Sequence, residues 1–492
     1  DEGPIQLRFD SLPPRLRSGE GISVGRPDDQ HPAWSAKIFK DRMGLVTVPA
    51  SDAAAFREWQ RGPDAGSAPM VVQMQGYSDM EGLLKSLLQI VTAPKGMAEL
   101  LLPGTDLSAV PEAGTIADRW YLERLLRQTR HSLNASQAEA VLQSASQGLT
   151  LVQGPPGTGK TTVAAELCRL MVMQRKKVLV CAVKNVALDN ILMQVLNTGV
   201  DPQRILRIGA PQDASLEEMS AEKWDPDIFG RVMRASIICM TATALYGLST
   251  ILKRAEIDMV IMDEVSQCTE PLALPVFILQ SKHIVLVGDQ NQLPPTIHSE
   301  EAQERKLIRS VYHHLLDIGS VPVLLDVQYR MHPAIAAFPM AQFYGARITN
   351  GVTELDRPLP FSSFRWPRPE FPVAIITHSG RKAEQRDARA SYYNLEQVEI
   401  VREAVIQLLR GGGLRPRDIA IISPYQGQTY HLHQRIKDLL PHGVRTIDSF
   451  QGRHTKIIIV SMVRSNKWEN TGFTQDWKRL NVMMTRAQYG FI

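Results

Sequence analysis

Between the apolar run Leu149–Gln153 and a helical pattern that opens at Thr162, the chain reads Gly154-Pro155-Pro156-Gly157-Thr158-Gly159-Lys160-Thr161. In a strand, glycine loop, helix context, G-x-x-x-x-G-K-[ST] is a phosphate-binding P-loop. Its glycines let backbone N–H groups converge on phosphate oxygens with no Cβ in the way. The helix N-terminus adds partial positive charge. That context places Lys160 to reach the β- and γ-phosphates of a nucleotide and the Thr161 hydroxyl to hold Mg²⁺.

A second cluster, Met259-Val260-Ile261-Met262, is an apolar strand that ends in Asp263-Glu264. Ligands bind at the carboxyl edge of open α/β sheets, so both acids arrive beside the P-loop. Asp263 suits Mg²⁺, commonly held through water, and Glu264 suits orientation and deprotonation of an attacking water. The run Ile284–Gly288 delivers Asp289-Gln290-Asn291-Gln292 to the same edge. A glutamine there can bond the γ-phosphate and lose that contact on hydrolysis, which makes a switch. Arginines come from further along: Arg330 in Gln328-Tyr329-Arg330-Met331-His332-Pro333, and Arg486 in the helical pattern Arg479–Ala487. An arginine in trans neutralises transition-state charge and is worth roughly 10³–10⁵ in rate. Supplied by a second unit, it makes closure depend on the nucleotide.

The elements that position these residues follow from periodicity. Residues 1–77 are rich in Gly, Pro, Asp and Arg, with short alternating runs at Gly21–Val24, Gly44–Val48 and Pro69–Met74. Short strands between turn residues predict a small antiparallel β-barrel. Over 78–130 the period becomes helical: Met80, Leu83, Leu84, Leu87 and Leu88, then Ile116–Leu126, predict a helical stalk. From residue 131 the pattern is α/β, with strands expected at Leu149–Gln153, Val178–Ala182, Ile205–Ile208, Ile237–Thr241, Met259–Asp263 and Ile284–Gly288. A second series runs Val323–Asp326, Val373–Thr377, Ile419–Ser423, Arg445–Asp448 and Lys456–Val463. Strands alternating with helices mean parallel sheets covered on both faces. The expected division is a parallel-sheet domain over 131–320 with the P-loop, and a second over 321–492.

A length of 492 residues fits roughly three domains by the usual prior. Hydrophobic content of 44% and charged content of 22% describe a soluble globular chain. The net charge of +4 permits a polyanionic partner without demanding one. No apolar run approaches the ~18 residues of a spanning helix, so no membrane partner is expected. Cys168, Cys181, Cys239 and Cys268 are dispersed in apolar patterns, predicting buried free thiols and a reducing compartment, the cytoplasm. The chain opens on Asp1 and stops after Phe491-Ile492, which reads as a segment of a longer protein.

The ordered set Gln137, Gly154–Thr161, Asp263–Gln267, Gly288–Pro295, Val327–Pro333, Ile447–Arg453 and Leu480–Ala487 resembles superfamily 1 helicases. Ser266–Pro271, Phe343-Tyr344 with Asn350–Thr353, and Ser423–Gln428 are similar to the branch of the up-frameshift RNA helicases of nonsense-mediated mRNA decay. The resemblance implies two tandem RecA-like domains, ATP and Mg²⁺. Gln137 would read adenine, with Tyr329 stacked on it. Gly154, Pro155, Pro156, Gly157, Thr158, Gly159, Lys160, Thr161 and Thr162 would cradle the nucleotide. Lys160, Glu264, Gln292, Arg330 and Arg486 would be the catalytic set, and Thr161 and Asp263 the metal ligands. Single-stranded RNA would cross Asn185, Thr241 and Pro294 in the first unit and Ser423, Pro424 and Thr446 in the second. The implied activity is ATP-driven 5′ to 3′ translocation and unwinding, with regulatory protein partners. Two alternatives stand beside it: a DNA helicase of the same superfamily, and a nucleotide-gated RNA clamp. Departures are His454 where the family has an acid, Gln488 for an arginine, and Val183-Lys184 for a Pro-Ser pair. The cysteine- and histidine-rich zinc domain of the family is absent from this segment, and only 210–235 is available for the insertion expected before Ile237.

Overall fold

The computed structural model describes short strands within 5–75, residues 100–101, 105 and 107, and then 116–127 and 132–492 apart from 223–224, 298, 369, 378–383 and 467–471. The chain divides into two compact units, Asp1–Ser86 and Leu87–Ile492. In the first, Val46–Val48 pairs with Ile5–Leu7 and Phe39–Lys40, and Gly21–Gly25 pairs with Trp34–Lys37 and Val71–Gln75, all antiparallel. These two three-stranded sheets carry the alternation seen in sequence. The residues that would close them into a barrel lie outside the described residues, as does the helix expected over Met80–Leu88.

In the second unit, helix Arg119–Leu126 precedes two large parallel sheets, with a two-stranded parallel pair, Val327–Gln328 and Thr349–Asn350, and an antiparallel pair, Glu384–Arg386 and Tyr392–Asn394, beside them. The first has eight strands in the order Ser220–Ala221, Ile205–Ile208, Ile237–Thr241, Val178–Ala182, Met259–Asp263, His283–Gly288, Leu149–Gln153, Val323–Leu324. Its central strands are apolar along their whole length because helices cover both faces. On one face the helices Ala135–Ser146, Lys160–Met173 and Asn185–Asn197 bury Val141, Leu167 and Leu188 against Val180, Ile261 and Val285. The strands therefore run under the helices and release their last residues at one edge, where the P-loop emerges.

Val323–Leu324 differs from expectation. It pairs in parallel with Val152 and Gln153 and so belongs to the first sheet rather than opening the second. The second sheet runs Val444–Thr446, Ile419–Ser423, Thr455–Val460, Ala487–Phe491, all parallel, with Val373 bridged to Phe491 as the remnant of the strand expected at Val373–Thr377. Helices Leu395–Leu409 and Gln426–Ile436 pack on one face, and Pro333–Tyr344 and Trp477–Met484 on the other. The last of these stops at Met484, so Arg486 lies in the turn before the final strand rather than in the helix.

Ile261 has no solvent exposure at the centre of the first sheet. Ile261→Ala is expected to cost about 2–5 kcal/mol through lost transfer energy and the cavity left behind. Chemical denaturation reads this as a lowered midpoint with an unchanged slope.

Candidate active site

The P-loop is shaped by its neighbours as much as by its glycines. Gly154 N–H donates to the Gly288 carbonyl at 2.9 Å, fastening the loop to the adjacent strand. Gly157 and Gly159 take φ of 79° and 90°, left-handed values that a side chain resists. Gly159 caps the Lys160–Met173 helix, and a Cβ on it would lie 2.4 Å from Gln137 Nε2. Gln137 is fixed by a reciprocal cap: its N–H donates to Asn134 Oδ1 at 2.8 Å, and Asn134 N–H donates to its Oε1 at 3.2 Å. Its Nε2 then donates to the Thr158 carbonyl at 2.9 Å. Asn134 Nδ2 also donates to Tyr329 Oη at 2.9 Å, so the glutamine and the aromatic ring border the same opening.

Every P-loop residue from Pro155 to Thr162, with Gln137, Asp263, Glu264, Gln292, Tyr329, Arg330 and Arg486, lines one cavity of about 530 Å³. The catalytic, nucleotide-binding and metal residues expected from sequence thus converge; Gly154 stands just behind the wall. Lys160 Nζ donates to the Gly154 carbonyl at the floor of the loop. Glu264 adopts φ 53° without being glycine, a conformation that costs about 1–3 kcal/mol and collects at functional sites. Its Oε2 accepts from Gln267 Nε2 at 2.7 Å.

The charges in the cavity are unbalanced in a telling way. Burial, and then the negative Glu264, raise the Asp263 carboxyl well above the usual carboxylate range, while Lys160 opposes the shift. Asp263 Oδ1 is buried with no hydrogen-bond partner. An oxygen in that condition, in the cavity that Thr161 also lines, fits a divalent cation. On the other side, burial and the neighbouring Arg486 lower Arg330 to about 9, and burial lowers Arg486. Two guanidinium groups facing one pocket are relieved by an anion between them. His454, at the rim, is pushed down to about 4 by surrounding protein and by these two arginines, so it is neutral at physiological pH.

The second sheet reaches the cavity through a buried polar bridge. Asp289 Oδ2 accepts from Gln292 Nε2 at 2.8 Å and from Tyr344 Oη at 2.7 Å. Asn481 Nδ2 donates to Tyr344 Oη at 2.9 Å and to the Asn291 carbonyl at 2.8 Å. Arg486 Nη2 donates to Gln292 Oε1 at 3.1 Å. Arg330 Nη1 donates to the Thr485 carbonyl at 3.1 Å, and Tyr329 N–H donates to the Gly157 carbonyl at 2.9 Å. Gln292, expected to touch phosphate, is here the joint between Asp289 and Arg486.

The residues expected to meet nucleic acid sit at the carboxyl edges of both sheets. Thr241 and Ser423 end strands Ile237–Thr241 and Ile419–Ser423, Asn185 opens a helix, and Thr446 caps one through an oxygen that accepts from Ser449 N–H at 3.4 Å. Pro294 and Pro424 are partly exposed beside them. Ser423 departs from expectation: it is fully buried and its Oγ accepts from Tyr425 N–H at 3.4 Å, so it shapes the turn rather than presenting a hydroxyl. Sequence reasoning missed Arg207. Fully buried, it donates to Asp189 Oδ1 at 3.1 Å and to Asn185 Oδ1 at 2.8 Å. Its one signal was a charge inside the apolar run Ile205-Leu206-Arg207-Ile208. The substituted Lys184 spans the two sheets, donating to the Asp448 carbonyl at 3.2 Å and Gln451 Oε1 at 3.4 Å.

Family models described as AAA domain match residues 132–234 with 230–300, and residues 307–492. Fold, cavity and matches together place the chain among proteins built on AAA domains. More particularly, the chain is homologous to the proteins called regulator of nonsense transcripts 1. It is 31% identical to the regulator of nonsense transcripts 1 homolog of Arabidopsis thaliana, over 97% of this chain and 41% of that protein. Against the homolog of Neurospora crassa the figures are 30%, 87% and 42%. Against the ATP-dependent helicase NAM7 of Saccharomyces cerevisiae they are 32%, 73% and 41%. The chain spans less than half the length of these curated relatives.

Gly159→Ala combines a left-handed φ with the Gln137 contact. It is expected to weaken nucleotide binding by about ten- to a hundredfold, from a strain of about 1–3 kcal/mol. Titration with a fluorescent ATP analogue measures this; unchanged affinity would contradict the role given to Gln137.

Proposed function

We propose that this chain hydrolyses ATP and uses the cycle to move 5′ to 3′ along single-stranded RNA and unwind it. The observation that carries the reading is the single cavity in which the P-loop and Asp263-Glu264 of the first sheet face Arg330, just before helix Pro333–Tyr344, and Arg486, just before the last strand of the second sheet. The direction and the RNA substrate draw on the likeness to the regulators of nonsense transcripts. Small polar groups at the carboxyl edges of both sheets suit backbone contacts that grip a strand without reading its sequence. Cytoplasmic residence and regulatory protein partners complete the proposal.

In the mechanism, Pro155–Thr162 wrap the phosphates while Gln137 and Tyr329 hold the adenine. Mg²⁺, when bound, would be held by Thr161 and Asp263 and would neutralise charge on the β- and γ-phosphates. Glu264 accepts a proton from water as its oxygen attacks the γ-phosphorus. The bond from that phosphorus to the β-γ bridging oxygen breaks, leaving ADP and inorganic phosphate. Lys160, Arg330 and Arg486 stabilise the charge on the equatorial and leaving oxygens. Arg330 precedes a helix packed on the second sheet and Arg486 precedes that sheet's last strand, so loss of the γ-phosphate removes the anion that holds the halves together. Closure and reopening then alternate the grip on the strand.

RNA-stimulated ATPase should fall at least about a hundredfold in Glu264→Gln, the scale of a lost general base, and become undetectable in Lys160→Ala, with both variants retaining wild-type circular dichroism. Wild-type turnover in either would sink the mechanism. Arg330→Ala is expected to lower the rate by roughly 10³–10⁵ while leaving ATP binding measurable. Stimulation by RNA and DNA homopolymers of matched length tests the substrate: greater stimulation by DNA would favour the DNA-helicase alternative. A protein that turns over ATP but fails to separate a tailed duplex would be the clamp.

A further inference from the structure

The nucleotide cavity has a second opening. A groove of about 1130 Å³ lies between the two sheets and meets the cavity at Thr161, Asn190, Arg330, Gly452 and His454, which line both. Thr161 and Arg330 belong to the γ-phosphate end of the site. Gln137 and Tyr329, at the adenine end, do not border the groove. The groove is therefore a passage from behind the terminal phosphate to solvent.

Its second-sheet wall carries Arg417, His442, Arg445 and Arg453, all exposed. Neither Arg417 nor Arg445 forms an ion pair or a side-chain hydrogen bond among the described residues. Asp418, the acidic neighbour of Arg417, is engaged by Lys456 at 3.3 Å. Arg453 donates only to a neutral group, Gln212 Oε1, at 3.3 Å. On the facing wall Asp189 is paired with Arg207 at 3.1 Å, while Asp213, bonded to the neutral Ser215 hydroxyl at 2.7 Å, keeps its charge. Against the one carboxylate of Asp213 stand Arg417, Arg445 and Arg453, so the passage presents an excess of positive charge to a small ion.

Hydrolysis creates a need for such a passage. Once the γ-phosphoryl group is cleaved, ADP still fills the adenine side of the cavity, and inorganic phosphate sits behind it against the P-loop. A small dianion leaves fastest along a cleft whose walls carry one sign of charge, because field lines are focused there. We propose that this groove is the exit route for inorganic phosphate, with Arg417 and Arg445 as the cations that draw it out. The inference rests on the ATP-hydrolysis reading and adds a product site to it.

The test uses the whole protein at saturating RNA and compares it with Arg417→Gln/Arg445→Gln and Arg417→Lys/Arg445→Lys. Rapid-quench kinetics read ATP cleavage, and a fluorescent phosphate-sensor protein reads phosphate release. In the glutamine pair, cleavage should match wild type, and release should slow by about tenfold or more, the scale of electrostatic focusing. The lysine pair should restore release, and RNA affinity should be the same in all three. Release that keeps pace with cleavage in the glutamine pair overturns the route alone. A parallel loss of RNA affinity also overturns it, by making these arginines nucleic-acid contacts. A wild-type protein that cleaves no ATP overturns the hydrolase reading and the route with it.

Discussion

The hydrogen bonds converging on Asp289 are what the rest of the site depends on. This carboxylate is fully buried, and burial raises its pKa. A buried charge is tolerated only when its hydrogen bonds are complete. Here one comes from its own sheet, through Gln292, and another from the partner sheet, through Tyr344. The first sheet cannot satisfy its own acid, so the second is held against it at this corner. Arg486, bonded to Gln292, is carried to the cavity by the same junction. A further contact between the halves runs from Lys184 to Asp448 and Gln451.

Around that corner the cavity is arranged for a ligand of high negative charge with a cation beside it. Asp263 and Glu264 repel each other across one side, and Arg330 and Arg486 crowd each other on the other. Either pair alone is unfavourable. On the proposed function, a magnesium nucleotide would relieve both, the acids taking up the cation and the guanidinium groups the phosphates. The energy that draws the halves together is thus held in like-charge contacts that only the complete ligand removes.

Much of this was legible before any coordinates. Fully buried parallel strands must be apolar along their length, so Val178–Ala182 or Met259–Asp263 announce themselves, and the polar residues that end them are marked by the break in pattern. Val323–Leu324 was assigned to the wrong sheet because an apolar strand carries no record of its neighbours. The resemblance implies a nucleic-acid contact at Ser423, but its hydroxyl is fully buried and accepts from Tyr425 N–H, which the motif alone does not reveal. Arg207 was passed over because a single charge in a short strand ordinarily points to water. Its partners, Asp189 and Asn185, lie 18 and 22 residues away on a different element. Arg486 was placed in a helix because Ala487 continues the helical period; the chain turns one residue earlier to give Phe491 its place beside Ile458.

Gly157 sets a limit that the phosphate-binding role of its loop does not suggest. A Cβ there would fall 2.5 Å from Arg330 Cβ and 3.2 Å from Arg330 N, both in the opposite half of the site. The missing methyl group is therefore a clearance between two moving parts. Any side chain at this position would act as a shim, holding the jaws apart by roughly its own thickness whatever nucleotide lay between them. The residue at this position in the first half is therefore constrained by the backbone of Arg330 in the second.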